Sequence, residues 1–133
     1  MNLLINPEDK VSFEVYVAVN GDQLYANADK NVLLKENKDV KEEDVVSFNF
    51  TFKKPSYGDN MSIMKKCGGV TTNGETIEFD ASAIRYERFV SLLDSWTLVD
   101  EDAKPLPTTK DNIDRLHPTL AGVILDEMEK LVS

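Results

Sequence analysis

Apolar and polar residues alternate along residues 11–19, VSFEVYVAV, with Val11, Phe13, Val15, Val17 and Val19 on one side and Ser12, Glu14 and Tyr16 on the other. A period of two sends successive side chains to opposite faces, so the segment predicts a half-buried strand. Asn20-Gly21-Asp22 ends it with turn chemistry. Residues 44–54, DVVSFNFTFKK, repeat the pattern, with Val46, Phe48, Phe50 and Phe52 expected inward and Ser47, Asn49 and Thr51 outward. Between the two, KENKDVKEED (35–44) holds one apolar residue among dense charges of both signs and reads as an exposed connector.

Past Pro55 the period changes. Asp59 is placed to cap a short helix, MSIMKKC, whose face would be Met61, Met64 and Cys67, and Gly68-Gly69 offers a left-handed stop. VTTNGETIEF (70–79) carries Asn73-Gly74 between two β-favouring runs and is either a small hairpin or a loop. Asp80 then caps ASAIRYERFVSLLDSW, where Tyr86, Phe89, Val90, Leu93 and Trp96 recur at three- and four-residue spacing, predicting an amphipathic helix near 81–96.

The stretch WTLVDEDAKPLPTTKDNIDRLHP (96–118) is built as a joint. Pro105 and Pro107 each remove a backbone donor and cannot continue a helix. Thr108 and Thr109 before Asp111 and Asp114 start a second short helix, with an oxygen for the cap and negative charge near the positive end of the dipole. Pro118 opens the last helix, PTLAGVILDEMEKLV, with Leu120, Ile124, Met128 and Leu131 as its buried stripe. These elements predict an α+β fold in which an N-terminal antiparallel β-sheet packs against C-terminal α-helices. Trp96 and Leu106 are expected to close the joint.

Composition narrows the organisation and the partners. A chain of 133 residues with 41% hydrophobic content fits one domain, β-rich over about 1–55 and helical over about 56–133. With 24 acidic against 15 basic residues the net charge is -9, which repels phosphate backbones and anionic lipid, so neither nucleic acid nor membrane is an expected partner. The opening MNLLINPEDK lacks the basic and long apolar regions of a signal peptide, and the single cysteine, Cys67, fits a reducing compartment.

Each candidate for chemistry has a structural explanation. Asp100-Glu101-Asp102 lacks the alternating ligands, central glycine and closing glutamate of a calcium loop, so no metal is expected. A nucleophilic pair of Cys67 and His117 has no orienting third group or family signature, and His117 before a proline reads as a capping or packing residue. Gly68-Gly69 is followed by no lysine-serine or lysine-threonine pair and is not a phosphate loop. The acidic clusters sit on connectors or polar helix faces, not in the apolar cleft that separates the pKa values of a catalytic pair. FNFTFKKPSY pairs its aromatics with only two lysines, and its phenylalanines suit the core. No catalytic residue and no cofactor is expected.

The order of elements resembles a family. A strand ending in TFKKPSYGD, a helix, then FVSLLDSWTLVDEDAKPLPTTKDNIDRLHPTLAGVILDEMEKL is similar to the small tail assembly chaperones of long-tailed bacteriophages. The similarity covers roughly residues 46–132 and is most specific at Trp96, residues 104–108, Ile113, Leu116 and Pro118. It implies a non-enzymatic role in the host cytoplasm, binding the tape measure protein and bringing tail tube subunits to it. Two other classes compete with it: a virion structural or accessory protein or an acidic inhibitor of a host protein, and an enzyme. The final helix carries apolar residues at Leu120, Ala121, Val123, Ile124, Leu125, Met128, Leu131 and Val132, a stripe wider than one packed face needs. Leu125, Met128 and Val132 are therefore the candidate partner-binding residues, with Met128 suited to an adaptable surface. The same width would equally serve a homo-oligomer or the domain's own core.

Overall fold

The structure, a computed structural model, describes residues 2–68 and 80–132. The NG-containing stretch 70–79 lies outside the described residues. The chain forms an α+β fold. Strand β1 (Lys10–Asn20) turns through Gly21, whose φ of 62° belongs to the left-handed region, into β2 (Gln23–Asn27). Helix α1 (Lys30–Glu36) and a 3-10 turn (Glu42–Asp44) lead to β3 (Val46–Lys53), followed by α2 (Tyr57–Lys66), α3 (Ala81–Leu92), β4 (Leu93–Trp96), α4 (Lys110–Asp114) and α5 (Pro118–Val132). The sheet is antiparallel with the order β2-β1-β3-β4.

Register explains the core. Phe13 stands opposite Phe50 and Val11 opposite Phe52, and the Phe13 ring stacks on both phenylalanines at 5.8 Å. Phe50 meets Trp96 edge-on at 6.5 Å, and Phe52 meets Phe89 of α3 edge-on at 5.7 Å. These separations and tilts suit aromatic quadrupoles and tie both long strands to the helical layer. Helix α5 crosses the same face, packing on β1, β2 and β3 with Leu120, Ile124, Met128 and Val132 buried. Val19 and Val46, expected inward, are 62% and 52% exposed. They lie near the end of β1 and at the start of β3, at the same end of the sheet.

The central helix stops earlier than its spacing predicts. Leu93 is already extended, and residues 93–96 pair with β3, matching Leu93 with Phe52, Ser95 with Thr51 and Trp96 with Phe50. A bulge between Thr51 and Phe52 absorbs the change of register. The unpaired edge of β3 offers backbone partners to any extended neighbour, and here that pairing outweighs continued helix.

Three local readings are corrected. The cap of α2 is Ser56, whose Oγ accepts the Asp59 N–H at 3.1 Å while the Asp59 carboxylate accepts the Ser56 N–H at 3.0 Å, a reciprocal capping box. The buried residue of α2 is Ile63, whereas Met61 is exposed and Met64 and Cys67 are half-buried. In α5, Val132 takes the buried position expected of Leu131, because Leu120, Ile124, Met128 and Val132 form an unbroken four-residue row. The stop after α2 is as expected, with Gly68 at φ 54°. The strand β2 and helix α1 have no counterpart in the sequence reading. Asp29 caps α1 through the Asn31 and Val32 N–H groups, and Leu33 is buried. Helix α1 packs on β2, and Ala18, on the opposite face of β1 from Val15 and Val17, is buried as well.

Candidate functional site

The acidic stretch at 100–102 is a turn. The Asp100 carboxylate accepts the N–H groups of Asp102 at 2.8 Å and Lys104 at 3.0 Å, and the Ala103 N–H donates to the Asp100 carbonyl at 3.0 Å. Ala103 occupies the left-handed region at φ 60°, closing a short hairpin in which Leu106 donates to the Leu98 carbonyl at 2.9 Å. This carboxylate orders its own loop. Among the described residues, no three of His, Cys, Asp and Glu are grouped to hold a metal ion.

The other candidate groups have structural partners. His117 Nδ1 accepts the Thr119 N–H at 3.2 Å, and its carbonyl accepts the Ala121 N–H at 3.0 Å, so His117 caps α5. Cys67 ends α2 and packs against the core. Phe50 and Phe52 are fully buried and Phe48 half-buried, as expected of core residues rather than of a stacking platform.

Helices α3, α4 and α5 enclose a groove of about 340 Å³. Helix α3 contributes Ser82, Arg85, Tyr86 and Phe89, which share a face at three- and four-residue spacing. The segment 113–116 contributes Ile113, Asp114 and Leu116, and α5 contributes Ala121 and Leu125. Short as it is, α4 is held at both ends of its first turn. Thr109 Oγ1 accepts the Asn112 N–H at 3.2 Å, and the Asn112 side chain donates to the Pro107 carbonyl at 2.8 Å. Phe89 and Ile113 form a buried floor, while Leu116, Ala121 and Leu125 are half-buried walls that still face solvent.

The rim is charged and internally ordered. Arg85 forks across to α5, with Nη2 on Asp126 at 2.9 Å and Nε on Glu129 at 2.5 Å. The hydrogen bond to Glu129 raises the guanidinium pKa further above its already high ordinary value, against a smaller opposing effect of burial. The Tyr86 hydroxyl donates to the Asp114 carboxylate, which Lys110 also approaches at 3.3 Å. The tyrosine hydrogen bond first, and then Lys110, holds Asp114 below the usual carboxylate range. Lys110 also lies 5.6 Å from the centre of the Tyr86 ring, and its pKa is raised by Tyr86 and by Asp114. These exposed pairs contribute little to stability, but they fix the orientation of the groove's polar edge.

Of the three residues offered as partner-binding, the structure leaves one at a surface. Leu125 lines the groove. Met128 is 0% exposed and Val132 9%, so both belong to the core beneath α5, and the wide apolar stripe is largely used within the domain. The sequence reading missed Arg85 and Asp114 as site residues, since nothing in a single chain marks which carboxylates an arginine 41 or 44 residues away will meet. In the sequence Tyr86 belongs to the apolar face of the central helix, and Ile113 and Leu116 are marked only by the family resemblance, none of them as a site residue.

No family model, curated protein or solved structure matches the chain. Among the described residues no helix is long and apolar enough to cross a membrane.

Proposed function

We propose that this protein is a non-enzymatic tail assembly chaperone that binds the tape measure protein and tail tube subunits of a long-tailed phage, with the groove between α3, α4 and α5 as its client site. The observation that carries this reading is the groove itself. It has an aromatic and aliphatic floor, half-buried aliphatic walls and an ordered charged rim, the arrangement by which an amphipathic segment is taken from water. It is assembled from the region where the sequence resembles such chaperones, and Ile113, Leu116 and the Pro118-opened helix all shape it. The Asp100 carboxylate and the His117 imidazole, the obvious chemical groups of that region, hold turns and caps in place.

Co-expression with the tape measure protein and the tube subunit, followed by pull-down, is the test. The wild type is expected to recover at least one of them, and Leu125→Glu to recover neither while keeping its helical circular dichroism. Recovery of neither by the wild type sinks the proposal. Presence of the protein in purified virions would favour a structural or accessory component, and capture of a host protein in place of the tail proteins would favour an acidic inhibitor.

A further inference from the structure

The walls of the groove between α3, α4 and α5 have no backbone to lend. The N–H of Ser82 donates to the Asp80 carboxylate at 2.9 Å, and those of Ile113, Leu116 and Ala121 donate to the carbonyls of Thr109, Ile113 and His117 at 3.0, 3.2 and 3.0 Å. Arg85, Tyr86 and Phe89 lie inside α3 and Leu125 inside α5, where the helix uses its own peptide groups. An extended segment laid on such walls would bury its backbone with no ladder to join, whereas a helix arrives with its backbone already paired. At about 340 Å³ the groove is at the small end of binding clefts, so it receives a row of apolar side chains from one helical face. We infer that the groove selects a basic amphipathic helix, one whose apolar stripe is flanked by lysine or arginine.

The rim sets the sign of the charge. Asp114 of α4 and Asp126 and Glu129 of α5 stand there against two cations, Arg85 and Lys110. Lys110 balances Asp114, but Arg85 is shared between Asp126 and Glu129 and its single charge balances only one of them, so the rim is left negative on a chain that carries -9. The Asp126 side chain is 70% exposed and accepts Arg85 Nη2 at 2.9 Å. A carboxylate has about four acceptor positions, so a cation on the client adds to Asp126 without displacing Arg85. Along α5, Ala121, Leu125 and Glu129 follow one another at four-residue spacing, and the apolar wall runs straight into a carboxylate. A basic amphipathic helix presents the same order with the opposite sign. An acidic helix would bring its carboxylates against the unbalanced charge, and a neutral one would gain the apolar seat alone.

This inference rests on the groove being the client site and names the chemistry of the client segment. Fluorescence anisotropy of the purified protein with labelled synthetic peptides is the experiment. Three helical peptides of about 20 residues share one leucine stripe and carry lysine, glutamine or glutamate at the flanking positions. The lysine peptide is expected to bind at least about 10-fold more tightly than the glutamine peptide, with the glutamate peptide weakest and the differences shrinking as salt is raised. Asp126→Asn should weaken the lysine peptide by about 2- to 5-fold and leave the glutamine peptide unchanged. Glu43→Gln makes the same change in net charge at an exposed residue that does not line the groove, and should alter neither. Two uncharged groove variants, Ala121→Leu and Leu125→Ser, each checked for native circular dichroism, should weaken both peptides by about 10-fold. Selective peptide binding with no tail protein recovered in co-expression would fell the chaperone reading and leave this inference standing, and recovery of tail proteins without charge selectivity would do the reverse. No binding of the lysine peptide, equal binding of the glutamine or glutamate peptide, Glu43→Gln matching Asp126→Asn, or a folded groove variant with full affinity would each overturn the inference.

Discussion

The Trp96 indole N–H donates to the Leu106 carbonyl at 2.8 Å, across the hairpin that joins the sheet to the last two helices. Trp96 belongs to β4 and stands edge-on to Phe50, while Leu106 follows the Pro105 bridge opposite Val99. The tryptophan thereby closes the joint expected of it, from a strand rather than from a helix. Trp96→Ala is expected to destabilise by about 3–5 kcal/mol, the usual cost of removing a large buried aromatic. Trp96→Phe, which keeps a ring but leaves the Leu106 carbonyl without its donor, should cost less than the alanine variant while still exceeding about 1 kcal/mol. A denaturant titration with unchanged slope distinguishes the two.

Ala103 sits at φ 60°, where an L side chain costs about 1–2 kcal/mol. Ala103→Gly relieves that strain, although glycine also loosens the unfolded chain. The net expectation is a gain of up to about 1 kcal/mol, visible as a rise of a few degrees in Tm by calorimetry. A fall in Tm would show that the turn does not require this conformation.

Leu33 is buried under α1 on the side of the protein that the main helices do not cover. Leu33→Ala should cost about 2–5 kcal/mol in equilibrium unfolding. Hydrogen exchange should quicken first at the amides of α1 and β2, since these elements share that contact layer.

Tyr86→Phe removes the main cause of the depressed Asp114 pKa and should return it toward the ordinary value of 3.8, followed by the carboxyl carbon shift in an NMR titration. The sign of the stability effect follows from linkage. A carboxylate whose folded pKa lies below its unfolded value stabilises the fold above that unfolded value, and the contribution disappears as pH falls through the folded pKa. The wild type should therefore exceed Tyr86→Phe in stability at neutral pH, with the part of the difference due to Asp114 vanishing in acid.

The sequence by itself determined whatever depended on neighbours along the chain. Strict alternation placed β1 and β3, with Phe50 and Phe52 in the core. The side-chain oxygens of Asp80 and Thr109 and the pre-set φ of Pro118 started their helices where expected. Short elements left too few periods to read: β2 spans five residues, and the seven-residue α1 buries only Leu33. The tertiary structure alone decided the fate of 93–96. Its three- and four-residue spacing suits a helix, but the free backbone edge of β3 captured it as a strand, through a partner some 40 residues upstream that no local pattern contains. The groove has the same origin. Leu125 was legible as surplus apolar width, whereas Arg85, Asp114 and Leu116 became its companions only when three helices packed together, and the same packing took Met128 and Val132 into the core. Local propensity acts through adjacent residues, while burial and strand pairing depend on what the folded chain brings alongside.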